Sequence, residues 1–344
     1  MSAAKERVIA APMNDDPVAR ARIAAPVIAA NGAKIEADRE LPPEVLETLY
    51  QHRLIRALLP KSLGGDETTP DSFVRMMEVI AKADASTAWC VGQASVCAMS
   101  AAYVAPEVAR DIWSPREASF AWGTVGPNQI AEVVDGGYRV TAAWPFASGG
   151  RHATWFGGHC KVRERDGTMR TNPDGSPYER TMLFPRSAIS MSPSWEVMGL
   201  RGTGSDTYSV TDLFIPEAYT VRRDREEERR ALGHGTLYKF TTTHMYASGF
   251  AAVALGIARG MLDDFVALAS HKTPTATVRR LADNPVLQSG LAWQEGKWRA
   301  ARAQLLTVLR ETWDHVAGGG EITTDQKVSI RLAATLRAAM QGQS

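Results

Sequence analysis

Apolar and polar residues alternate in the middle of the chain, from 118 to about 220. Every second residue from Tyr138 to Trp144 is apolar, Arg139 and Thr141 lie between them, and the run stops at Pro145. A period of two is typical of a strand with one buried face. The segments 155–162 and 208–215 predict two more strands, separated by turn signals such as the one at 135–137. We therefore expect a small β-sandwich or barrel.

Helical spacing replaces this alternation on both sides. A capping residue or a first-turn proline predicts the beginning of a helix at three positions, Asp16, Pro43 and Thr69. The segment 85–104 is rich in small residues, which let helices approach closely, and it predicts one central packed helix. An amphipathic helix over 284–317 is predicted by apolar residues spaced by three, four or seven positions, namely Leu287, Leu291, Trp298, Leu305, Leu309, Trp313 and Val316.

These patterns predict an α+β protein that is mostly α. It has an N-terminal helical domain over 1–117, a central β domain over 118–232 and a C-terminal helical bundle over 233–344. A length of 344 residues agrees with two or three domains of about 150 residues each. The nine charged residues at 222–230, five basic and four acidic, predict a solvated linker. Trp293 and Trp298 add apolar surface to the long helix and indicate either a subunit contact or packing within the subunit.

Composition narrows the function classes. The net charge of +1 argues against nucleic-acid binding, which needs a concentrated positive field. No apolar signal core and no apolar stretch of about 20 residues is evident, so we expect a soluble cytoplasmic protein and no membrane partner. The three cysteines, at 90, 97 and 160, lack zinc or disulfide spacing and are expected to be buried free thiols.

Several catalytic motifs fail when tested. The glycine-rich segment 199–206 does not match the dinucleotide fingerprint and is not followed by a helical pattern. His152 and His159 lack a partner at metal-ligand spacing, and no nucleophile elbow occurs. His244 is interpreted as a pocket-wall residue or as a structural histidine. The absence of nucleotide-binding and metal-binding motifs argues against a kinase, an ATPase, a Rossmann-fold enzyme and a metalloenzyme.

One segment, 144–155, is typical of a platform for a flat ligand. Phe146 offers an aromatic face, Ser148 offers a hydroxyl, and Gly149 with Gly150 allows close backbone approach. The alternative is an ordinary strand end whose aromatic residues belong to the core.

The chain resembles the acyl-CoA dehydrogenase fold family over nearly its whole length, with the matching segments in the same order along the chain. The resemblance is carried by the helical N-terminal part, the turn at 135–138, the segment 144–149, the glycine-rich segment 199–206, the motif at 214–217 and the long helices. The form Trp-x-Phe-x-Ser-Gly followed by His-Ala-x-Trp is similar to the branch of flavin-dependent monooxygenases of two-component systems.

The resemblance implies a flavin held between the three domains and assigns site residues by position. Ser148 corresponds to a hydroxyl near flavin N5 and is the candidate catalytic residue, and Phe146 corresponds to an aromatic against the flavin ring. Trp122, Thr124 and Val125 correspond to the strand behind the ring. Arg279 (or Arg280) with Gln288 corresponds to an element that reaches a neighbouring subunit's cofactor, although a surface ion pair is an equal alternative.

The implied activity is that of a reduced-flavin-dependent monooxygenase. Reduced FMN or FAD would come from a separate reductase, and O2 would react to form a C4a-(hydro)peroxyflavin that oxygenates an aromatic or heterocyclic molecule. The family also implies a homotetramer. Its acid–base group is a glutamate in many dehydrogenases and a histidine in the hydroxylases, and we expect it beyond Ser344, with the C-terminal bundle incomplete.

Two other functions stay open. An FAD-dependent acyl-CoA dehydrogenase is the first, and the departure of 126–128 from the dehydrogenases' Glu-Pro-Gly-x-Gly-Ser-Asp pattern weakens it. A catalytically degenerate scaffold is the second, and the presence of Phe146 and Ser148 argues against it.

Overall fold

The computed structural model describes residues 15–124, 126–275 and 277–341. Within these ranges, six α-helices precede the strands and three follow them. In chain order they are α1 (Pro17–Ala30), α2 (Gly32–Asp38), α3 (Pro43–Gln51), α4 (Pro70–Ala83), α5 (Ala85–Ala98), α6 (Pro106–Trp113), α7 (Thr242–His271), α8 (Pro285–Ala317) and α9 (Thr324–Gln341).

The helix starts predicted from the sequence are confirmed by their caps. The Asp16 side chain accepts from the Val18 N–H at 2.9 Å, and the Thr69 hydroxyl accepts from the Ser72 N–H at 3.4 Å. These side chains satisfy backbone donors that a first helical turn leaves free. The single helix predicted over 85–104 is wrong, because α5 ends at Ala98 and a 3-10 turn, Met99–Ala102, follows it.

The described strands form one eight-stranded sheet. They are β1 (Phe120–Trp122), β2 (Ile130–Val134), β3 (Gly137–Ala147), β4 (Trp155–Arg163), β5 (Glu179–Pro185), β6 (Ser190–Ser192), β7 (Asp206–Pro216) and β8 (Thr220–Val221). The order is β6-β7-β3-β2-β4-β5-β8, and β1 pairs in parallel with β4 beside Trp155. The mostly helical α+β fold with a central β domain is therefore confirmed, while the boundaries 117/118 and 232/233 stay predictions.

Strand β3 continues through the proline at which the sequence pattern placed its end. Trp144 pairs with Tyr208 and Ala147 pairs with Asp206, so Pro145 and Phe146 face the single residue between those partners on β7. This is a β-bulge, a position where a proline without an N–H donor is tolerated in a sheet. The predicted end of the strand at Pro145 is therefore wrong.

Two hydrophobic clusters stabilise the fold. One lies on the sheet, where Trp144 is fully buried and stacks on Tyr208 with ring centroids 5.2 Å apart. The other joins N-terminal helices to C-terminal ones and includes Phe73 of α4, Ala252 of α7 and Leu309 of α8. Because this second cluster contains residues from both the N-terminal and the C-terminal helices, the helices before and after the sheet share one core.

The charged run 222–230 is not solvated along its whole length. Arg180 of β5 donates to the Glu228 carboxylate at 2.9 Å. The Asp224 carboxylate accepts from the Thr242 N–H at 2.6 Å and from its hydroxyl at 2.7 Å, at the first residue of α7. The prediction is wrong for Asp224 and Glu228, whose charges contact a helix start and the sheet, whereas the other two glutamates, Arg225 and Arg230 are exposed.

The amphipathic helix predicted over 284–317 is confirmed as α8, whose buried face includes Leu305 and Leu309. Trp298 packs within the subunit, because its indole N–H donates to the Leu255 carbonyl at 3.0 Å. Trp293 is 67% exposed, and its role in a subunit contact stays a prediction. The three cysteines are buried and free, as predicted. Within the described ranges, we find no helix with the length and apolar character needed to cross a bilayer.

The contact between α4 and α7 yields a stability prediction. A Cβ added to Gly256 would lie 2.5 Å from Ala81 Cβ and 2.6 Å from the Glu78 carbonyl oxygen. Gly256→Ala should therefore force the two helices apart and lower the free energy of unfolding by about 1–3 kcal/mol. Urea denaturation followed by circular dichroism measures the change.

Gly260→Ala is the matched control, one turn later on α7. Its added Cβ would meet only the Lys82 carbonyl oxygen, at 3.8 Å. This substitution should raise the free energy of unfolding by roughly 0.5–1 kcal/mol, since alanine loses less backbone entropy in a helix. Equal effects of the two substitutions would contradict the close packing at Gly256.

Candidate active site

A cavity of about 500 Å³ opens where α5 and the start of α7 meet the sheet. Ligand pockets in proteins commonly have volumes of about 300–1,000 Å³. Most of its lining consists of aromatic side chains and hydroxyl groups, with one guanidinium. The lining residues are Trp89, Gln93, Trp122, Gly123, Thr124, Phe146, Ser148, His159, Trp195, Leu200, Thr203, Ser205, Arg223, Thr242, Thr243, Tyr246 and Phe250. The structure thus brings together Trp122, Thr124, Phe146 and Ser148, four of the seven predicted site residues.

Phe146 reaches the cavity because of the bulge in β3. Its φ is 64°, in the left-handed region that a non-glycine residue rarely adopts. The ring is 56% exposed and meets Trp195 edge to face, at a centroid distance of 6.0 Å. Trp144, two residues earlier, belongs to the core. The core interpretation therefore holds for Trp144, whereas Phe146 lines the cavity and its contact with a flat ligand stays a prediction; the strained backbone separates the two rings.

A chain of hydrogen bonds passes through the Ser148 hydroxyl. The Trp89 indole N–H donates to Ser148 Oγ at 3.0 Å, and Ser148 Oγ lies 2.7 Å from Ser205 Oγ. Ser205 Oγ lies 2.7 Å from Thr203 Oγ1, which donates to the Leu200 carbonyl oxygen at 2.9 Å.

The two ends of this chain fix the direction of every bond in it. A carbonyl oxygen only accepts and an indole N–H only donates. The Thr203 hydroxyl donates its proton to the Leu200 carbonyl oxygen, so towards Ser205 it can only accept. Ser205 therefore donates its proton to Thr203 and accepts from the Ser148 hydroxyl. Ser148 has then given its one proton away and holds a remaining lone pair, so it can only accept a hydrogen bond from a ligand.

Aromatic rings form the wall opposite the sheet. Trp89 stacks on Phe250 at a centroid distance of 4.4 Å, and Phe250 stacks on Tyr246 at 5.6 Å. Tyr246 lies 6.1 Å from Trp122 of β1. Burial raises the pKa of Tyr246 well above its ordinary value, so its hydroxyl stays protonated. The wall can hold a planar apolar group between α5, α7 and β1.

His159 and Arg223 are the polar groups at the other side, and the sequence analysis missed both as site residues. The Arg223 guanidinium lies over the Trp122 ring, 4.5 Å from its centroid. His159 Nδ1 lies 2.7 Å from Thr181 Oγ1. Burial, with the nearby charge of Arg223 second, holds the pKa of His159 well below its ordinary value, so the ring is neutral. The pattern of residues around these positions carries no motif that could have found them.

The mouth of the cavity is held by a buried carboxylate. Asp206, with its side chain 3% exposed, accepts from Arg151 Nε at 2.8 Å and from the N–H groups of Ser194 and Trp195 at 2.9 and 3.0 Å. Burial opposes the charged form, but the Arg151 and backbone donors outweigh it, and the pKa of Asp206 is lowered. Asp206 thereby fixes Trp195 next to Phe146.

The remaining predicted residues lie elsewhere. Val125 lies outside the described residues. Arg279 and Gln288 are exposed and hydrogen-bond locally, to Thr277 and to the Ala282 carbonyl, away from this cavity. Their role towards a neighbouring subunit stays a prediction. The structural alternative for His244 is confirmed, because its Nδ1 accepts from the N–H of the α7 cap residue Thr241. In the described part of the chain, no group of three or more His, Cys, Asp and Glu side chains is placed to hold a metal ion.

Comparison with known proteins identifies the family. Two protein-family models match the chain. The acyl-CoA dehydrogenase N-terminal domain matches residues 19–120, and the acyl-CoA dehydrogenase C-terminal domain matches residues 248–342. The pigment production hydroxylase of Rhodococcus erythropolis is 30% identical over 80% of this chain and 70% of its own length. The chain belongs to the acyl-CoA dehydrogenase family. The resemblance inferred from the sequence is confirmed, including its similarity to the monooxygenase branch.

The relatives of this chain within the family include oxygenases. Indole-3-acetate monooxygenase of Pseudomonas putida is 28% identical over 88% of this chain and 74% of its own length. Other relatives are oxygenase components of flavin-dependent aromatic hydroxylases. The structure of XiaF from Streptomyces sp. in complex with FADH2 and glycerol superposes with a TM-score of 0.83 at 22% identity, over 94% of this chain and 81% of that one. At this identity the structural likeness supports the fold alone.

The Asp206 contacts yield a testable prediction. Asp206→Asn removes the charge that Arg151 pairs with and should lower the free energy of unfolding by about 1–3 kcal/mol at pH 7. Because the fold lowers the pKa of this carboxyl, its contribution is complete above the ordinary aspartate pKa of about 3.9 and is lost as the pH falls through the folded-state value. Urea denaturation between pH 3 and 7 measures the difference from the wild type.

Asp212→Asn on the same strand is the control. Its carboxylate is 73% exposed and forms a surface ion pair with Arg139. This variant should stay within about 0.5 kcal/mol of the wild type. If both variants lose the same stability, Asp206 does not hold the mouth of the cavity.

Proposed function

We propose that this chain is the oxygenase component of a two-component, reduced-flavin-dependent monooxygenase that acts on an aromatic or heterocyclic small molecule. The observation that carries the proposal is the meeting of Phe146 and the Ser148 hydrogen-bond chain in one cavity with an aromatic wall. The relatives named as flavin-dependent hydroxylases and monooxygenases support it.

The residues fit the ring of a flavin. An isoalloxazine is flat and apolar on its faces and carries hydrogen-bonding atoms along its edges. The cavity offers Phe146 and Trp195 at its mouth, and the Ser148 oxygen accepts hydrogen bonds only. In a reduced flavin N5 carries a hydrogen, whereas in an oxidised flavin N5 is an acceptor. The direction of the hydrogen-bond chain therefore favours the reduced form.

Each part of the cavity has a task in this proposal. Reduced flavin, when bound, supplies the electrons that activate O2. Ser148 orients the N5 edge, and the bulge holds Phe146 against the ring. Trp89, Tyr246 and Phe250 exclude water from the reacting centre and hold the planar substrate, because water promotes wasteful loss of the activated oxygen as hydrogen peroxide.

The partners follow from the same proposal. A separate reductase supplies reduced flavin, either FMN or FAD, in the cytoplasm. We also propose a homotetramer, supported by the exposed apolar side chains Val286 and Trp293 on α8, which are 75% and 67% exposed. Arg279 and Gln288 lie at the beginning of the same region and in this assembly would reach a neighbouring copy.

The function is tested with the purified chain and chemically reduced FMN and FAD. We expect tight binding of reduced flavin and, on mixing with O2 and an aromatic substrate such as indole-3-acetate, an oxygenated product found by mass spectrometry. Anaerobic bleaching of bound oxidised FAD by an acyl-CoA would instead identify a dehydrogenase. Failure to bind either oxidation state would identify a scaffold.

Ser148→Ala should uncouple the reaction. Without the hydroxyl, the N5 edge loses its acceptor, so a larger fraction of the consumed O2 should appear as hydrogen peroxide while the fold is unchanged. Peroxide release per flavin oxidised, measured with a peroxidase assay, gives the coupling, and circular dichroism monitors the fold. An unchanged ratio would remove Ser148 from the reaction.

Thr203→Val tests the direction of the hydrogen-bond chain. Valine cannot accept from Ser205, so Ser205 can donate to Ser148, and Ser148 can then donate to N5 of oxidised flavin. The ratio of the dissociation constants of oxidised and reduced FMN should fall by about tenfold, as expected for one hydrogen bond of about 1.4 kcal/mol. Fluorescence titrations under anaerobic and aerobic conditions measure both constants.

Thr203→Ser keeps the hydroxyl and is the matched control, with a ratio close to that of the wild type. A purely structural role of Thr203 would weaken the binding of both oxidation states equally. That result would contradict the proposed direction.

A further inference from the structure

Arg223 places a positive charge inside a cavity whose walls are mainly aromatic. It lines the cavity together with Trp122 and Tyr246, and its guanidinium lies 4.5 Å from the Trp122 ring centroid. The side chain is half-buried. A charge withdrawn from water is costly unless an opposite charge or several hydrogen bonds compensate for it. The aromatic face of Trp122 supplies only part of that compensation.

Arg223 has no carboxylate partner within ion-pair distance in the described ranges, in contrast to its neighbours. Arg222 donates to Asn172 and pairs with Glu227, and Arg229 pairs with Glu226. The adjacent carboxylate, Asp224, is used by the N–H and the hydroxyl of Thr242 at the start of α7. Arg225 and Arg230 form no ion pair within the described ranges either, but both are exposed and neither lines the larger cavity, so Arg223 is the guanidinium of this run that faces the aromatic wall.

The two titratable groups that line the larger cavity with Arg223 carry no negative charge. His159 is neutral, since burial and the charge of Arg223 lower its pKa. Tyr246 is protonated, since burial raises its pKa well above its ordinary value. Neither group supplies a negative charge to the guanidinium.

A second cavity, of about 180 Å³, adjoins the first at this point. Arg223 and His159 line both cavities. The charged groups of the second one are four arginines and one glutamate, Arg180, Arg222, Arg223, Arg225 and Glu179. Arg180 and Arg222 are already paired, with Glu228 and Glu227, so Arg223 lies where an aromatic wall gives way to a polar space with a small excess of positive charge. A molecule with an aromatic ring and a short acidic arm matches this order of surfaces.

We propose that Arg223 binds the carboxylate of an aromatic substrate that carries a short acidic side chain, and that this contact selects such substrates over neutral ones. The proposal rests on the proposed function for the identity of the bound molecule as the substrate. An arginine binds a carboxylate through two parallel N–H donors, and such bonds strengthen in a site partly withdrawn from water. The ring of the substrate then lies against Trp122 and Tyr246.

The experiment measures binding without flavin, by isothermal titration calorimetry. The probes are two matched pairs, indole-3-acetate with indole-3-acetamide and phenylacetate with phenylacetamide. We expect the acid of at least one pair to bind about tenfold or more tightly than its amide, as a charge-assisted hydrogen-bond pair would give. Arg223→Gln should abolish this preference, and Arg223→Lys should keep a part of it.

Arg230→Gln is the matched control. It lies in the same run and changes the net charge equally, but its side chain is exposed and lines neither cavity. It should keep the preference of the wild type. Equal affinity for acid and amide in the wild type, binding of neither molecule of either pair, or a preference that survives Arg223→Gln would overturn the proposal.

The flavin phosphate is the other anion that Arg223 could meet, and a parallel titration distinguishes it. If Arg223→Gln weakens reduced FMN relative to reduced riboflavin and leaves the acid preference intact, the arginine serves the cofactor and the proposal fails. If the wild type binds and oxygenates acids and amides equally well, the proposed function stands and the role of Arg223 falls. If the acid preference holds while no reduced flavin binds, the proposed function fails alone.

Discussion

The hydrogen-bond chain from Trp89 to the Leu200 carbonyl is the constraint on which the rest of the site depends. It joins helix α5 to the end of β3 and to the loop before β7, with each oxygen 2.7–3.0 Å from the next partner. Such a chain has a single direction because an indole N–H begins it and a carbonyl ends it. It therefore fixes the position of Ser148 and also the one kind of hydrogen bond that Ser148 can form with a ligand.

The same region shows how a sheet and a helical core share one cavity. The bulge in β3 turns Phe146 out of the sheet at a φ of 64°, while Trp144 stays in the sheet core. Asp206 then fixes Trp195 against Phe146 through three donors. The helices contribute Trp89 and Tyr246, which pack against the helical core, and Phe250, which stacks on both of them. Strain and buried charge at the mouth are thus offset by packing elsewhere.

The sequence placed four of its candidate residues in the cavity that the structure shows. Phe146 and Ser148 lie two residues apart in one motif, and the resemblance to the family added Trp122 and Thr124; all four line the cavity, and their roles stay proposals. The partners of Ser148 did not follow, because Trp89 is 59 positions and Ser205 is 57 positions away in the chain. The position of Arg223 in the cavity could not be predicted from the sequence for a different reason. Its run has balanced signs, and only the spatial arrangement shows which of its charges are paired.

By itself the sequence determined the order of helical, strand and helical regions along the chain, because the apolar period and the capping residues act over a few positions. It also determined the family, through motifs that keep their order along the chain. The tertiary structure alone decided that β3 continues past Pro145, that the helices on both sides of the sheet share a core, and that one arginine faces the cavity. Each of these depends on contacts between residues far apart in the chain, and no local pattern encodes which distant group will meet a given side chain.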